Sequence, residues 1–406
     1  MKEWKTYKLS EIGQVIGGAT PSTKVASNYD GDIAWITPKD LSLLSGRYVY
    51  KGERCITEAG YKSCSCQMLP AGSVLFSSRA PIGYIAIAGN ELCTNQGFKS
   101  VVPNPEIVNS HFLYYLLSYE KNRIAEMGSG TTFMEISGNV MKNIEVKLPD
   151  LSIQNKIAEI LTSLDEKIEN NKRINDNLEQ QAQVLYRSWF VDFEPFKEGK
   201  FIESEIGEIP AGWSIVKFGD IVEIPKKTIN PQKFPDTIFN HYSLPACDNG
   251  LIAEVQAGKD IMSNKIILQS NTTLFSKLNP RIKRIWFTCE VLPNSICSTE
   301  FIPYRAKIDT EYSYIFSIVN SDAFYSSVMG CVNGATGSHQ RFHAEDTEDF
   351  LCAYNKDAVN EFSKLIEPVL KQMHDLRQEN VKLALTRDTL LPKLMSGALK
   401  INEIDC

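Results

Sequence analysis

The sequence predicts an α+β fold in which two tandem-repeated α/β domains are separated by a long antiparallel helical pair, a coiled coil. Three observations carry this expectation: an ordered internal repeat, a helical stretch from Ser152 onward with no Pro or Gly until Pro195, and two strand-and-turn regions that lack the βαβ alternation of a nucleotide-binding sheet. The boundaries read as a first domain over 1–150, a first long helix over 151–200, a second domain over 201–355 and a second long helix over 356–406.

In the first domain, short apolar runs at Ile33 to Ile36, Ser73 to Phe76, Tyr84 to Ala88 and Phe98 to Val102 are punctuated by Gly, Pro and Ser. Runs of this length bounded by turn formers are strands, and His111 to Met127 supplies one helix. The same plan recurs. Trp4, Lys8, Leu9, Glu11 and Ile12 return as Trp213, Lys217, Phe218, Asp220 and Ile221 at an offset of 209. Leu75-Phe76-Ser77 with Pro81 returns as Leu274-Phe275-Ser276 with Pro280 at an offset of 199. Met127-Gly128 is echoed by Met329-Gly330, each leading into a small-residue loop, and Asn175, Leu178 and Leu185 return as Asn380, Leu383 and Leu390. Collinear order makes this a diverged duplication: two copies agree at framework positions and differ between them.

The stretch from Ser152 gives a helix of about 39 residues, roughly 58 Å at 1.5 Å per residue. Ile157, Leu161, Leu164, Ile168, Asn171, Asn175, Leu178, Ala182, Leu185 and Trp189 alternate steps of four and three, the spacing of a coiled-coil seam whose two amides would fix register. The second copy offers a partner in Phe362, Val369, Leu376, Leu383 and Leu390, seven residues apart, with Pro368 expected to kink or restart the run. A helix that long exceeds the diameter of a domain of its size, so the predicted helix-pair interface is Ile157, Leu161, Leu164, Ile168, Leu178 and Leu185 against Val369, Leu376, Leu383 and Leu390.

Composition bounds the function. With 406 residues, 43% hydrophobic and 23% charged, the chain is ordinary globular material for more than one core. Ten cysteines, no apolar leader over Met1 to Ser10 and no apolar run near ~18 residues give the expectation of a reducing, cytoplasmic protein. A net charge of −6 excludes a simple polycation, so any DNA contact must be locally basic. No P-loop and no Gly-x-Gly-x-x-Gly after a strand is present, nor an Asn/Asp-Pro-Pro-aromatic segment of the kind that holds a flipped base. Cys64 and Cys66, with Cys55 near, lack the paired spacing of a structural zinc site, and His339 and His343 before Glu345 and Asp346 read as a solvated loop rather than a metal cluster. Trp35 and Trp213 read as core residues. No metal and no catalytic residue is expected, which leaves recognition as the function.

At this point the chain resembles the specificity subunits of type I restriction-modification enzymes. The carriers run the whole length: Gly17-Gly18-Ala19-Thr20-Pro21-Ser22-Thr23, then Trp35-Ile36-Thr37-Pro38-Lys39-Asp40-Leu41, Gly72-Ser73-Val74-Leu75-Phe76 and Asn95-Gln96. Leu148-Pro149 with Gln154, Ile157, Leu161, Leu164, Asp165 and Ile168 follows, then Leu185-Tyr186-Arg187-Ser188-Trp189-Phe190, and Leu390-Leu391-Pro392-Lys393-Leu394-Met395-Ser396-Gly397. The second domain departs from the pattern, lacking the Gly-Gly-x-Thr-Pro-Ser-Thr run and setting Thr299-Glu300 against Asn95-Gln96. The resemblance implies a non-catalytic DNA-binding subunit whose two domains each read half of an asymmetric, bipartite double-stranded target. It implies two methyltransferase subunits carrying S-adenosylmethionine, restriction subunits that translocate DNA with ATP and Mg, no cofactor on this chain and no membrane partner.

Phosphate contacts position a protein on DNA and base-edge contacts specify sequence. Turn-located donors and acceptors of groove-reading type in the first domain are Thr20, Ser22, Thr23, Lys39, Ser77, Ser78, Arg79, Asn95, Gln96, Thr131 and Thr132. Arg79 either reaches guanine bidentately or holds a surface carboxylate; the sequence leaves both open. In the second domain the candidates are Lys226, Lys227, Lys277, Arg281, Lys283, Arg284, Ser338, His339, Gln340 and Arg341, against the alternative of a solvated basic face. Two other classes also stay open: a protein–protein scaffold using its coiled coil, and a DNA methyltransferase or nuclease with an unrecognised motif.

Overall fold

The computed structural model describes residues 4–79, 81–129, 134–332 and 340–399. The chain divides into two compact units, Met1–Glu169 with Leu383–Cys406, and Asn170–Lys382. Each of the two long helices, Leu151–Phe190 and Lys356–Met395, contributes one portion to each unit.

The first unit holds a five-stranded sheet in the order Gly13–Gly17, Lys99–Pro103, Val74–Phe76, Ile85–Ala88 and Tyr48–Val49. Beside it lie a three-stranded sheet of Cys55–Ile56, Tyr29–Ile36 and Cys93–Thr94, and a pair formed by Lys5–Lys8 and Glu145–Leu148. Val74–Phe76 is apolar throughout because both its faces are covered: Val74 and Phe76 pack with Phe112 and Leu116 of the helix Ser110–Glu126, while Leu75 packs with Ile36, Ala88 and Phe98. Asn109 starts that helix by accepting from the amide of Phe112 at 3.0 Å, and Asp150 does the same for Leu151–Phe190 through the amide of Ile153 at 3.1 Å. Ile157 and Leu161 share the first cluster with Leu394 and Met395, so both long helices close the core of this unit.

The second unit repeats the plan. Ser214–Lys217 pairs with Leu351–Tyr354 as Lys5–Lys8 pairs with Glu145–Leu148, and Thr272–Ser276 sits between Ile285–Thr288 and Phe301–Ala306 as Val74–Phe76 sits between its two neighbours. The parallel pair Tyr29–Ile36 with Cys93–Thr94 has its counterpart in Ile238–Tyr242 with Ser295–Ser298. Leu274 faces Trp286 and Tyr242, and Phe275 faces Phe324 and Phe342, which reproduces the two-sided burial of Leu75 and Phe76. The recurring Leu-Phe-Ser thus marks the central strand of each unit.

Within the second unit the two helices run antiparallel, with Tyr186 and Phe190 against Phe362 and Asn171 against Asn380. The Asn171 amide donates to Asn380 Oδ1 at 2.9 Å and to Glu379 Oε2 at 2.7 Å, a polar layer of the kind that fixes register. In the first unit Arg387 reaches Asp165 at 2.7 Å. Of the expected interface residues, Ile157, Leu161 and Ile168 are buried, whereas Leu164, Leu178, Leu185, Val369, Leu376, Leu383 and Leu390 are half-buried. The buried line of the second helix shares Phe362 with the expected run and then passes through Ile366, Leu370, Met373 and Asn380, one step round from Val369, Leu376 and Leu383. The expected restart at Pro368 does not occur: the helix continues through it. Pro368 lies on the exposed side, where water can satisfy the carbonyl that the ring deprives of its partner.

Candidate nucleic-acid interface

In the first unit the loop after Gly13–Gly17 is fastened to the turn after Cys93–Thr94. The amide of Ala19 donates to Thr94 O at 3.0 Å, the Thr20 hydroxyl donates to Gln96 Oε1, and the indole N–H of Trp35 donates to Ala19 O at 3.1 Å. Tyr29 OH donates to Pro21 O at 2.8 Å and the Asn28 side chain donates to Ser22 O at 3.2 Å. Trp35 is therefore core, but its one polar atom holds the loop in shape. Ser22 and Thr23 are exposed at the loop's outer side. Asn95 accepts from the amide of Gly97 at 2.9 Å, and its own amide donates to Ile36 O at 2.9 Å, which seats the turn beside Thr37 and Pro38. Lys39 stands on the adjoining short helix, ion-paired to Glu53 at 2.6 Å, and that pair raises its pKa.

The strand Val74–Phe76 exits into the same place. Ser77 and Ser78 are fully buried: the Ser77 hydroxyl donates to Pro81 O at 2.8 Å and accepts from the Tyr84 amide, and Ser78 binds Gly97 O through both its amide and its hydroxyl. They staple the loop rather than face a groove, because a strand exit this tight needs local acceptors for its backbone. Arg79 is half-exposed with its Nε 3.0 Å from Glu135, and Glu135 also meets Lys99 at 3.5 Å. Of the two readings of Arg79, the carboxylate-bound one is what the structure contains. Thr131 and Thr132 lie outside the described residues.

The second unit builds the same frame from other residues. Lys277 N donates to Glu300 O at 2.9 Å as Ser78 N donates to Gly97 O at 2.7 Å, and the Ser298 hydroxyl accepts from the Glu300 amide as Asn95 does from Gly97. The counterpart of Asn95-Gln96 is thus Ser298-Thr299, which corrects the sequence register of Thr299-Glu300 by one residue. Glu300 holds Arg341 bidentately at 3.1 and 3.2 Å, raising its pKa. Lys226, Lys227 and Arg281 are exposed and carry no ion pair among the described residues, and Lys277 is half-buried. Two candidates are engaged by protein groups, Arg284 half-buried and Lys283 exposed along its side chain. Arg284 forks onto Asp248 at 2.6 and 2.9 Å, and Lys283 donates to Asn320 O at 2.6 Å beside the Tyr325 ring, with burial lowering its pKa. Gln340 is half-buried, its backbone carbonyl accepting from Asn279 N at 2.8 Å; Ser338 and His339 lie outside the described residues.

The sequence reading missed Lys99, Glu135 and Glu300 as site residues: Lys99 and Glu135 sit in no motif and are found only through their partners, and Glu300 was read only as the counterpart of Gln96. His343 and Asp346 form a helix cap, the Asp346 carboxylate accepting from the His343 amide at 2.7 Å. Cys66 lies in this region too, its thiol 3.6 Å from Thr94 O, and the neighbouring Cys93 thiol pulls its pKa down to about 7 against the effect of burial. Among the described residues, no group of three or more His, Cys, Asp or Glu is arranged to hold a metal ion, and no helix is long and apolar enough to cross a membrane.

Residues 1–180 match the family model described as the type I restriction modification DNA specificity domain. The type I restriction enzyme MjaIX specificity subunit of Methanocaldococcus jannaschii is 32% identical over 99% of this chain and 95% of its own length. The type I restriction enzyme EcoDI specificity subunit of Escherichia coli is 24% identical over 99% of this chain and 86% of its own. The crystal structure of the type I restriction-modification S subunit from M. genitalium shares the fold, with a TM-score of 0.59 at 15% identity over 96% of both chains. The chain belongs to the specificity subunits of type I restriction-modification systems, their DNA-recognition subunits rather than their catalytic ones.

Proposed function

We infer that each unit reads one half of a bipartite, asymmetric duplex target, and that the chain delivers two methyltransferase subunits to it. The observation that carries this reading is the pairing of one hydrogen-bonded frame with two unlike sets of side chains. At equivalent loop positions the first unit presents Arg79 and Gln96 and the second presents Leu278 and Thr299, while the strands behind them correspond. Base-edge recognition depends on donor and acceptor pattern, with each good bidentate pair worth about 1–3 kcal/mol of discrimination, so unlike side chains on like frames read unlike half-sites. In this reading S-adenosylmethionine, ATP and Mg belong to partner subunits, restriction subunits complete the assembly, and the complex works in the cytoplasm. Mapping methylated adenines in the native genome tests it: the expected result is a split motif whose two halves differ, and a palindromic motif would overturn it.

The long helices set the non-specific gap between half-sites. A heptad inserted into each helix at the unit boundary adds about 10.5 Å at 1.5 Å per residue, close to three base pairs of B-DNA at roughly 34 Å per turn. The expected outcome in methylome sequencing of such a variant is a motif with unchanged halves and a longer spacer. An unchanged spacer at full methylation would remove the helices from this role.

A further inference from the structure

In both units a carboxylate already occupies the arginine that stands at the candidate interface, and the two arrangements are inverted. Glu135 is anchored by its backbone, exchanging hydrogen bonds with Ser129 at 3.1 and 3.0 Å, and the next amide, Ile136, donates to Ser78 O at 2.8 Å. That backbone places its carboxylate between Arg79 and Lys99. The equivalent backbone position in the second unit is Arg341, which bridges Leu278 as Glu135 bridges Arg79, and here the carboxylate comes from the other side, from Glu300. A surface ion pair gives little stability, so stability alone does not account for finding one at this shared bridge in both units, with the carboxylate at the shared position in one and the arginine there in the other.

We propose that Glu135 and Glu300 are specificity-determining residues: each masks an interface arginine from phosphate, so that the cation is released only where a base edge can replace the carboxylate. This rests on the DNA-reading function inferred above. Non-specific affinity comes from cations that neutralise phosphates and release counterions; a carboxylate beside the cation cancels that charge and repels phosphate, whereas a neutral guanine edge offers Arg two acceptors without that repulsion. In the first unit two cations share one carboxylate, leaving a single net positive charge; removing Glu135 doubles it. The chain as a whole is acidic, so these local cations set how strongly the interface holds random sequence.

The test uses the full chain assembled with its modification subunits, a duplex carrying the mapped methylation motif, and a scrambled duplex of the same composition. Glu135→Gln keeps the shape and hydrogen-bonding length of the side chain and removes the charge. Expected is about a tenfold gain in affinity for the scrambled duplex, a salt dependence of that binding steeper by about one in log–log slope, and a reduced ratio of target to scrambled affinity. Glu300→Gln should do the same through Arg341. If the wild-type complex discriminates between the duplexes and either variant leaves scrambled binding and its salt slope unchanged or weaker at an unchanged melting temperature, the masking role is wrong. If the wild-type complex itself shows no preference for the target duplex, the DNA-reading function fails instead. Should Glu135→Gln lower the melting temperature, Arg79→Gln supplies the second measurement: it must flatten the salt slope in a Glu135→Gln background, and no flattening there would equally overturn the proposal.

Discussion

Replacing Arg47 by methionine is expected to destabilise the first unit by about 3–5 kcal/mol, the cost of removing one partner from a buried ionic group. Arg47 is 3% exposed. Its amide, Nε and one terminal nitrogen donate to Glu169 at 3.0, 3.1 and 3.2 Å, and Nε lies 4.0 Å from Asp165. Burial works against the charged form, yet the Glu169 hydrogen bonds and the Asp165 charge outweigh it and raise the pKa of the guanidinium. Asp165 also accepts from Tyr115 OH at 2.6 Å and from Arg387 at 2.7 Å, so one node ties the Arg47 loop, the Ser110–Glu126 helix and both long helices together inside this unit. Without Arg47, Asp165 keeps two donors but Glu169 loses two charged ones. The other terminal nitrogen of Arg47 is buried with no hydrogen-bond partner among the described residues, so the node is not an optimal one and an apolar replacement of both ends is better tolerated than loss of one. Hydrogen exchange read by mass spectrometry checks this: peptides over 29–56 and 110–126 should lose protection in Arg47→Met, and Arg47→Met with Glu169→Met should regain part of it. A loss below ~1 kcal/mol, the range of a surface pair, would show that the node is solvated.

What the sequence made legible and what it hid divide along a physical line. The strand Val74–Phe76 was readable because burial on both faces leaves an apolar run between turn formers, a local pattern, and its counterpart in Thr272–Ser276 only through the repeat of Leu75-Phe76-Ser77 as Leu274-Phe275-Ser276. The long helices were readable from their apolar spacing, and the first helix buries most of its expected seam, but the seam of the second helix was not placed correctly. Leucines at Leu376, Leu383 and Leu390 suggest a ladder by residue type, while the buried line passes through Ile366, Leu370 and Met373, and only packing chooses between adjacent apolar stripes. The register of Asn95 against Ser298 slipped because an amide and a hydroxyl perform one task, accepting from the amide two residues on. Arg79 stayed ambiguous because its partner Glu135 lies far along the chain, and no local rule reports a long-range ion pair.

The second large effect separates two adjacent glycines that the sequence treats alike. Gly17→Ala should be close to neutral, whereas Gly18→Ala should abolish reading of the first half-site. A Cβ on Gly17 would meet Lys99 Cδ at 3.7 Å, an ordinary contact with a flexible side chain. A Cβ on Gly18 would lie inside the van der Waals envelope of the carbonyl oxygens of Asn95 and Thr94 and of the Thr94 hydroxyl, two of them backbone atoms pinned in the turn. The loop must lift, which breaks the Ala19–Thr94 hydrogen bond, frees the Trp35 indole N–H in a buried site and separates Thr20 from Gln96. Overpacking costs about 1–3 kcal/mol and each hydrogen bond lost adds on the order of 1 kcal/mol, enough to displace the loop while the sheets beneath it remain folded. Because Thr20, Ser22, Thr23, Asn95 and Gln96 all ride on this junction, the expected methylome of Gly18→Ala keeps the half-motif read by the second unit and loses or relaxes the other. Matched methylation assays on the two variants decide it, since equal activity in both would mean that the close approach of Gly18 to the turn plays no part in recognition.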